Sequence, residues 1–581
     1  MVIFCTSGSM YRAGMIKRTL LIIFFLPLFA ALCCSQKTDK DARLRDVVRE
    51  YGQAEITLPY PGRGSMEYLT RNFSVGSVKD KTVHIIISPL TLDLFLKQGY
   101  DYSIIDRKEK KGPLSSSSVS EAMKWESYPT WTQYDSIMRF FSENYPSLCI
   151  LDTIGTSIRG RLVLVLKISD NASVDEDEPE VFYSSTMHGD EIAGFVLMMR
   201  LADYLLKNYN SDDRIKNLVD NLEIWINPLA NPDGTYTTGD TITSPTRANA
   251  NGYDLNRNFP DPVTTNTIKQ KETLDMISFM KKRRFVLSAN FHSGAEVVNY
   301  PWDRWERYHA DDRWFNIVSR AYADTVHVYS VPGYFDDLIN GVTNGYLWYQ
   351  IYGGRQDFVT YELRGREVTV ELVDDYLTPV YRLPFLWEYN YRSLTGYLEN
   401  ALYGIHGRVT DSDSGDPVYA RIYINGHDKD NSYIFSDSLT GTFIRFLEPG
   451  FWDLTFTAEG YRDTVLKKIF VKNRQRNDVF VRMIRDFNPV DTTNPSKPLL
   501  YPNPGSTYIR AVLPEELRGE VNIKIFSTSG VKLTEYYTET HNREPVIIDV
   551  RRFKEGLYIV RFTNTATRIS HTGRFIVRKQ F

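Results

Sequence analysis

The chain has 581 residues, of which 42% are hydrophobic and 24% are charged, an ordinary balance for soluble globular protein. At roughly 150 residues per domain, this length predicts about four domains. The formal net charge of -3 provides no basic surface of the kind that binds nucleic acid, so nucleic acid is not expected as a partner.

The N-terminus has the features of a secretory signal peptide, predicted to cover residues 1–35. Residues 17–18 are basic, and the apolar stretch over 20–32 is too short for a membrane span but suits a signal core. Cys33 and Cys34 raise the question of a lipid anchor. The leucine before them departs from the small residue that a lipobox usually carries, so ordinary cleavage is preferred. We therefore expect an exported chain without a stable membrane span.

Residues 41–108 are predicted to form a small α+β domain. Its predicted elements are a strand over 55–59, a helix over 65–73, a strand over 82–88, a helix over 89–99 and a strand over 100–105. The second helix has a proline near its start and Gly99 at its end, which are typical helix boundaries. A linker rich in lysine and serine, assigned to 109–125, follows this domain.

Residues 126–402 are predicted to form one large α/β domain. Its clearest elements are apolar strands over 162–168, 181–185, 222–226 and 285–289 and a helix over 192–207. Because strands alternate with helical stretches, the pattern indicates an α/β fold with a mostly parallel sheet.

The remainder of the chain reads as two small all-β sandwich domains. Short alternating strands separated by glycine-containing turns fill residues 403–484, which predicts an antiparallel sandwich. A linker over 485–498 precedes a second short all-β domain over 499–581.

A candidate metal site lies in the large α/β domain. His188 and Glu191, three residues apart, directly follow the predicted strand 181–185, and His292 follows the predicted strand 285–289. The His-x-x-Glu pair alone is weak evidence, since it occurs by chance in chains of this size. Two histidines and one glutamate with a fourth position for water form a known catalytic zinc set, and open α/β sheets bind ligands at their carboxyl edge.

These residues belong to a longer pattern that resembles a known family. The run 247–260, rich in Asn and Gly, would by itself be read as a turn-forming surface loop. Together with 188–191, His292 and the later run 369–372, it resembles the funnelin zinc carboxypeptidases, in particular the carboxypeptidase N/E branch. The resemblance covers about 126–402 and implies a mixed, mostly parallel sheet flanked by helices, as in carboxypeptidases.

The resemblance implies a role for each matching residue at the metal. His188, Glu191 and His292 would bind one zinc ion, and Asp254 would accept a hydrogen bond from the free ring nitrogen of His188. Glu371 would act as general base for the attacking water and then pass the proton to the leaving amine.

Four further positions are assigned to the substrate or its transition state. Arg247 would stabilise the oxyanion. Asn256 and Arg257 would hold the terminal carboxylate, the contact that makes an exopeptidase. Tyr349 would close over the terminal residue, although a core aromatic is an equally simple interpretation of one tyrosine.

Substrate preference is assigned to Asp303. It matches the position where basic-specific members of the N/E branch carry an acid, which implies a pocket for Lys or Arg. A solvated loop residue is the simpler alternative for this aspartate. Gln356 matches a second pocket position and is uncharged, and Ser293 replaces the more usual glycine after the third ligand.

The flanking segments carry resemblances of their own. Residues 403–484 are similar to the transthyretin-like domain of the N/E branch, with a role in folding or stability. Residues 499–581 resemble the C-terminal sorting domain of type IX secretion, with a β-rich adhesion module as the alternative. The sorting domain implies an encounter with secretion machinery and export through the periplasm and outer membrane, to the medium or the cell surface.

The leading hypothesis is a secreted zinc metallocarboxypeptidase that hydrolyses the C-terminal bond of peptides and proteins, preferring terminal Lys or Arg. A peptidoglycan peptidase acting on diaminopimelate linkages and a catalytically inactive binding or adhesion protein are the alternatives. The N/E branch usually lacks a propeptide. Residues 41–108 are therefore either an inhibitory pro-segment or a permanent accessory domain.

Overall fold

A computed structural model describes residues 39–105, 115–264, 268–485, 497–505, 508–540 and 545–578. The predicted signal peptide and parts of both predicted linkers lie outside these residues. The chain divides into two compact units. One holds the N-terminal and large α/β domains up to Tyr403 with two short later pieces, and the other holds most of the β-rich remainder. None of the helices described here combines the length and apolar character needed to cross a membrane.

The N-terminal domain is a four-stranded antiparallel sheet with helices. Its elements are α1 (39–51), β1 (Ala54–Pro59), α2 (Arg63–Asn72), β2 (Ser74–Lys79), β3 (Thr82–Ile87), α3 (Leu92–Gln98) and β4 (Ser103–Ile104). The strand order is β2-β3-β1-β4, which places β2 at one edge. The predicted strands and helices agree with this arrangement, but α1 and β2 were not predicted.

Strand β2 escapes sequence analysis for a physical reason. It reads SVGSVK, in which only the two valines favour a strand while the central glycine, the serines and the lysine do not, so the sequence signal is weak. Its pairing with β3 is irregular between Val75 and Ser77, where Gly76 is passed over. Pairing with the strongly β-forming β3 therefore defines this strand more than its own residues do.

The large domain is built on an eight-stranded mixed sheet. Its strands are β5 (Cys149–Thr156), β6 (Leu162–Ile168), β7 (Glu180–Ser185), β8 (Glu223–Asn227), β9 (Phe285–His292), β10 (Ala295–Tyr300), β11 (Val342–Asn344) and β12 (Arg366–Val373). The order is β11-β10-β12-β9-β7-β8-β6-β5. The central strands β12, β9, β7 and β8 are mutually parallel, which confirms the predicted mixed, mostly parallel sheet.

Helices surround this sheet. They are α4 (Val119–Ala122), α5 (Trp131–Asn144), α6 (Ala193–Asn208), α7 (Asp213–Val219), α8 (Pro232–Thr235), α9 (Lys271–Lys281), α10 (Asp312–Tyr329), α11 (Asp337–Asn340), α12 (Gly345–Trp348), α13 (Arg355–Phe358) and α14 (Leu383–Leu398), with short turns at Leu255–Arg257, Val359–Leu363, Val380–Arg382 and Glu399–Leu402. Helix α6 is almost entirely buried because its sequence is apolar on nearly every side. Helix α4 lies within the predicted linker 109–125, whose described part is folded, with Ala122 and Trp125 buried.

The C-terminal part is all β. Its strands are β13 (Gly404–Asp411), β14 (Arg421–Tyr423), β15 (Ile434–Phe435), β16 (Thr442–Arg445), β17 (Gly450–Thr457), β18 (Thr464–Val471), β19 (Arg476–Met483), β20 (Leu499–Tyr501), β21 (Tyr508–Val512), β22 (Gly519–Ser527), β23 (Lys532–Thr540), β24 (Val546–Asp549), β25 (Gly556–Asn564) and β26 (Ser570–Val577). They form the sheets β16-β13-β19 and β15-β14-β17-β18, then β20-β21-β24 and β23-β22-β25-β26. The predicted all-β character of this part is confirmed, but β13 and β19 pair in parallel, so the sandwich over 403–484 is not purely antiparallel as predicted.

Candidate active site

The candidate site lies where three adjacent parallel strands end. His188 follows β7, His292 is the last residue of β9, and Glu371 lies near the end of β12 in register with His292. Because β7, β9 and β12 are parallel neighbours, their carboxyl ends share one edge of the sheet. Residues that are far apart in the sequence therefore form a single cluster.

Three predicted metal ligands converge in this cluster. Glu191 Oε1 lies 2.9 Å from His188 Nδ1, and Glu191 Oε2 lies 2.7 Å from His292 Nδ1. The two histidine Nδ1 atoms are 3.1 Å apart, and all three side chains are buried. One nitrogen from each ring and a carboxylate therefore point at a common centre, an arrangement suited to a metal ion.

The other side of His188 is also occupied as the resemblance implied. Its Nε2 lies 3.0 Å from Oδ1 of Asp254, which fixes the ring and leaves Nδ1 for the centre. Asp254 also accepts from the backbone N–H of Asn256 at the start of the following turn. The local turn thus holds the carboxylate that orients the imidazole. These donors fit a zinc ion.

The approach to His188 depends on one glycine. A Cβ on Gly189 would lie 2.2 Å from the backbone carbon of Gly234. No side chain fits in such a space, so the chain can make this turn only with glycine at the position.

The surroundings of Glu371 suit its carboxylate to proton transfer. Among the described residues, its Oε2 is buried and has no hydrogen-bond partner. Burial first, and then the nearby Glu191 carboxylate, raise the pKa of Glu371 well above its ordinary value, and Arg247 opposes this shift. A buried carboxyl with a raised pKa beside a metal cluster is suited to receive and return a proton.

Two arginines border the cluster. Nη1 of Arg247 lies 2.6 Å from Glu191 Oε1, and its Nε lies 3.2 Å from Asp254 Oδ2. Arg257 donates to the backbone carbonyls of Asn256 and Val75, each at 2.9 Å. Both guanidinium groups therefore face the cavity at the sheet edge, which is the placement expected from sequence.

Asp303 lines the same cavity and is buried. Its Oδ1 accepts from Asn299 Nδ2 at 2.9 Å and from Gln356 Nε2 at 3.2 Å. Burial raises its pKa to about 6, while the Asn299 hydrogen bond and the positive charge of Arg257 pull it down. A Cβ on Gly345 would lie 1.8 Å from the Asp303 carboxylate, so glycine is required beside it. A solvated loop position is thereby excluded for Asp303.

The predicted site residues line one cavity, except for Asp254, which lies directly behind His188, and Gln356, which donates to Asp303. The cavity is lined by His188, Glu191, Arg247, Asn256, Arg257, His292, Asp303, Tyr349 and Glu371.

The N-terminal domain also reaches this cavity, through contacts that sequence analysis did not specify. The carbonyl of Val75 accepts from Arg257 Nη2, and the carbonyl of Gly76 accepts from the hydroxyl of Tyr349 at 3.4 Å. The hydroxyl of Ser74 accepts from Arg247 Nε at 2.7 Å and donates to Asp254 Oδ2 in a very short bond. Strand β2 therefore contacts side chains assigned to the substrate.

A second contact and a shared apolar core hold this strand in place. Gln53, which is buried, accepts from the Arg247 backbone N–H at 2.8 Å and donates to Asp190 Oδ2 at 2.9 Å. Tyr349 and Ile351 of the large domain pack into the hydrophobic core of the N-terminal domain. No sequence signal marked Gln53 or Ser74, because neither residue type nor spacing distinguishes them from ordinary surface polar residues.

Comparison with known proteins agrees with this geometry. Residues 134–393 match the zinc carboxypeptidase family model, and residues 499–578 match a secretion system C-terminal sorting domain. The chain is 32% identical over 390 residues to mouse carboxypeptidase M, a match covering 63% of this chain and 87% of that protein.

It is also 35% identical over 380 residues to human carboxypeptidase D, which covers 62% of this chain but only 27% of that longer protein. The structure resembles that of carboxypeptidase A from Helicoverpa armigera, with a TM-score of 0.49 and 17% identity, covering 60% of this chain and 97% of that chain.

The fold and the His-Glu-His cluster define an α/β domain with a candidate metal site. The chain belongs to the zinc carboxypeptidase family. Its C-terminal sorting domain marks it for export.

Proposed function

We propose that this chain is a zinc-dependent carboxypeptidase that releases single residues from the C-termini of peptides and proteins. The observation that carries the proposal is the cavity in which His188, Glu191 and His292 lie beside Glu371 and Arg257. One zinc ion held by the first three would supply a Lewis acid and lower the pKa of a water molecule.

The remaining residues perform the steps that surround that chemistry. Glu371 receives the proton of the attacking water on its free Oε2 and delivers it to the nitrogen of the leaving amine. Arg247 donates to the oxygen that becomes negative as the carbonyl carbon turns tetrahedral. Arg257, assisted by Asn256, binds the terminal carboxylate through its planar guanidinium group. Internal peptide bonds, which have no such carboxylate beside them, are therefore not substrates.

We further propose a preference for C-terminal Lys or Arg. The short contacts of the Asp303 carboxylate described above are with two neutral amides, so its charge is left to pair with a basic side chain that enters the cavity. An ion pair formed in such a desolvated place discriminates strongly against neutral residues.

The N-terminal domain is proposed to be an inhibitory segment rather than a passive accessory. Its strand β2 places the Val75 carbonyl on Arg257, where a substrate carboxylate has to bind. Ser74 also engages Arg247, the residue assigned to the oxyanion. In this arrangement substrate and strand β2 compete for the same donors.

The test is hydrolysis of short peptides ending in Lys, Arg, Phe or Glu by zinc-loaded protein, before and after limited proteolysis that removes the N-terminal domain. Selective release of Lys and Arg, absent in Glu371→Gln, supports the enzyme and its preference. Release of Phe instead keeps the enzyme and overturns the role of Asp303. Turnover of muropeptides alone would favour the peptidoglycan hypothesis, and zinc binding without any turnover would favour a binding protein.

A further inference from the structure

Beneath the metal cluster runs a buried row of polar side chains. Strand β9 alternates its side chains, so Ser288, Asn290 and His292 face the same side of the sheet. All three are buried, and Asn290 is completely so. A polar row in the interior of a sheet is costly unless every member has a partner.

His292 uses its two ring nitrogens differently. Its Nδ1 faces Glu191 and His188, as described above. Its Nε2 lies 2.7 Å from the side-chain amide of Asn290. An imidazole that gives one nitrogen to a metal carries its proton on the other, and that N–H needs an acceptor.

The far end of the Asn290 amide meets a buried arginine. One end of the amide, Oδ1, lies 3.4 Å from Nη1 of Arg355, and the other, Nδ2, faces the His292 ring and Met187. Arg355 forms an ion pair of 3.0 Å with Glu367, which also accepts from the hydroxyl of Ser288 at 2.7 Å. This row therefore runs from His292 to a fully buried charge pair.

The two ends of an amide are exchanged by a half-turn, and only the hydrogen-bond network decides between them. Arg355 can only donate, so it favours oxygen on its side. His292 donates from Nε2 once Nδ1 serves a metal, so it favours oxygen on the other side. The contact of 2.7 Å is much shorter than that of 3.4 Å, and Arg355 already has Glu367.

We propose that Asn290 is a positioning residue for the metal ligand His292. Its amide oxygen accepts from Nε2–H, which fixes the tautomer and plane of the ring and directs Nδ1 to the centre. In this orientation the amide nitrogen faces Arg355, which keeps its ion pair with Glu367. This inference rests on the proposed zinc function, but it concerns metal affinity rather than turnover.

The test measures zinc affinity of the full-length protein by competition with a fluorescent chelator after metal removal. Asn290→Leu, similar in size, loses the acceptor and is expected to bind zinc about 10- to 100-fold more weakly. Asn290→Asp presents oxygen at both ends and so satisfies His292 and Arg355 together. It is expected to bind zinc at least as tightly as the parent.

Two controls keep the outcome specific. Ser288→Ala removes a contact with Glu367 but none with His292, so it is expected to retain parental zinc affinity within about twofold. Thermal unfolding of each metal-free variant separates lost affinity from lost folding. Equal affinity in Asn290→Leu and the parent, or equal loss in Asn290→Asp and Asn290→Leu, overturns this role. A parent that binds no zinc overturns the metal site itself, while zinc binding without hydrolysis overturns only the proposed activity.

Discussion

The N-terminal domain and the large α/β domain both reach the same cavity, but they contribute different chemical groups. The large domain supplies charged side chains and imidazoles from the ends of its parallel strands. The N-terminal domain supplies two backbone carbonyls and the hydroxyl of Ser74. We assign the reaction to the groups of the large domain and the blocking of the cavity to those of the N-terminal domain.

This difference affects how strongly the N-terminal domain binds in the cavity compared with a substrate. The Val75 carbonyl is a neutral acceptor for Arg257, whereas a substrate carboxylate in the same place would add the attraction between opposite charges. Strand β2 therefore competes with the substrate because it belongs to the same chain and because its domain packs against Tyr349 and Ile351. Weakening those contacts favours the substrate without altering the reacting groups.

The largest effect is expected from substitution of Glu371, which is assigned to proton transfer and not to metal binding. Glu371→Gln preserves size but removes the proton acceptor, so kcat is expected to fall by about 100- to 10,000-fold. Zinc content, measured by metal analysis, is expected to match the parent, because the change spares the three ligands. A variant that retains more than about a tenth of parental kcat would show that another group accepts the proton.

The next effect concerns Asp303. In Asp303→Asn the pocket keeps its shape but loses its charge, so kcat/KM for a peptide ending in Lys should fall by roughly 30-fold or more. The same peptide ending in Phe provides the matched comparison and is expected to change little. Parallel losses for both peptides would mean that Asp303 supports the structure of the pocket rather than its preference.

Sequence analysis located the residues of the candidate metal cluster because their types and spacing are distinctive. His188, Glu191 and His292 follow strands whose apolar runs are visible in the sequence, and parallel strands have to end at one edge. The boundaries of the four strands predicted for the sheet were recovered to within a few residues for the same reason: buried central strands are nearly continuous in hydrophobicity.

Contacts between domains could not be predicted in this way. Strand β2 is short, rich in small residues and defined by its neighbour β3, and its function in the cavity comes from main-chain carbonyls that every residue possesses. Gln53 precedes β1 and looks like any polar loop residue until the fold places it against Arg247. The contact of Asn290 with His292 also could not be predicted, because in the sequence Asn290 is only one residue near the end of a strand.

A smaller effect is expected from the domain contact itself. Gln53→Ala removes two hydrogen bonds to the large domain, each worth about 0.5–1.5 kcal/mol. If strand β2 blocks the cavity, kcat/KM of the uncleaved protein should rise by about tenfold. Arg45→Ala is the control, because Arg45 pairs on the surface with Asp93 of its own domain. Unchanged or reduced activity in Gln53→Ala would identify the domain as an accessory.

The smallest effect should appear in the pH dependence of the preference. The pKa of Asp303 is raised from 3.8 to about 6 by burial, so the carboxylate takes up a proton as the pH falls through that value. The ratio of kcat/KM for Lys and Phe peptides should fall about twofold between roughly pH 7.5 and pH 6 and more steeply below, because titration of Glu371 cancels in the ratio. Since the folded pKa is the higher one, this group binds more protons in the folded state between about pH 4 and 6, and its contribution to stability decreases as the pH rises through that window. Asp303→Asn is expected to abolish both dependences, and a ratio that stays flat across this range in the parent would contradict the assignment of its preference to a titrating carboxylate.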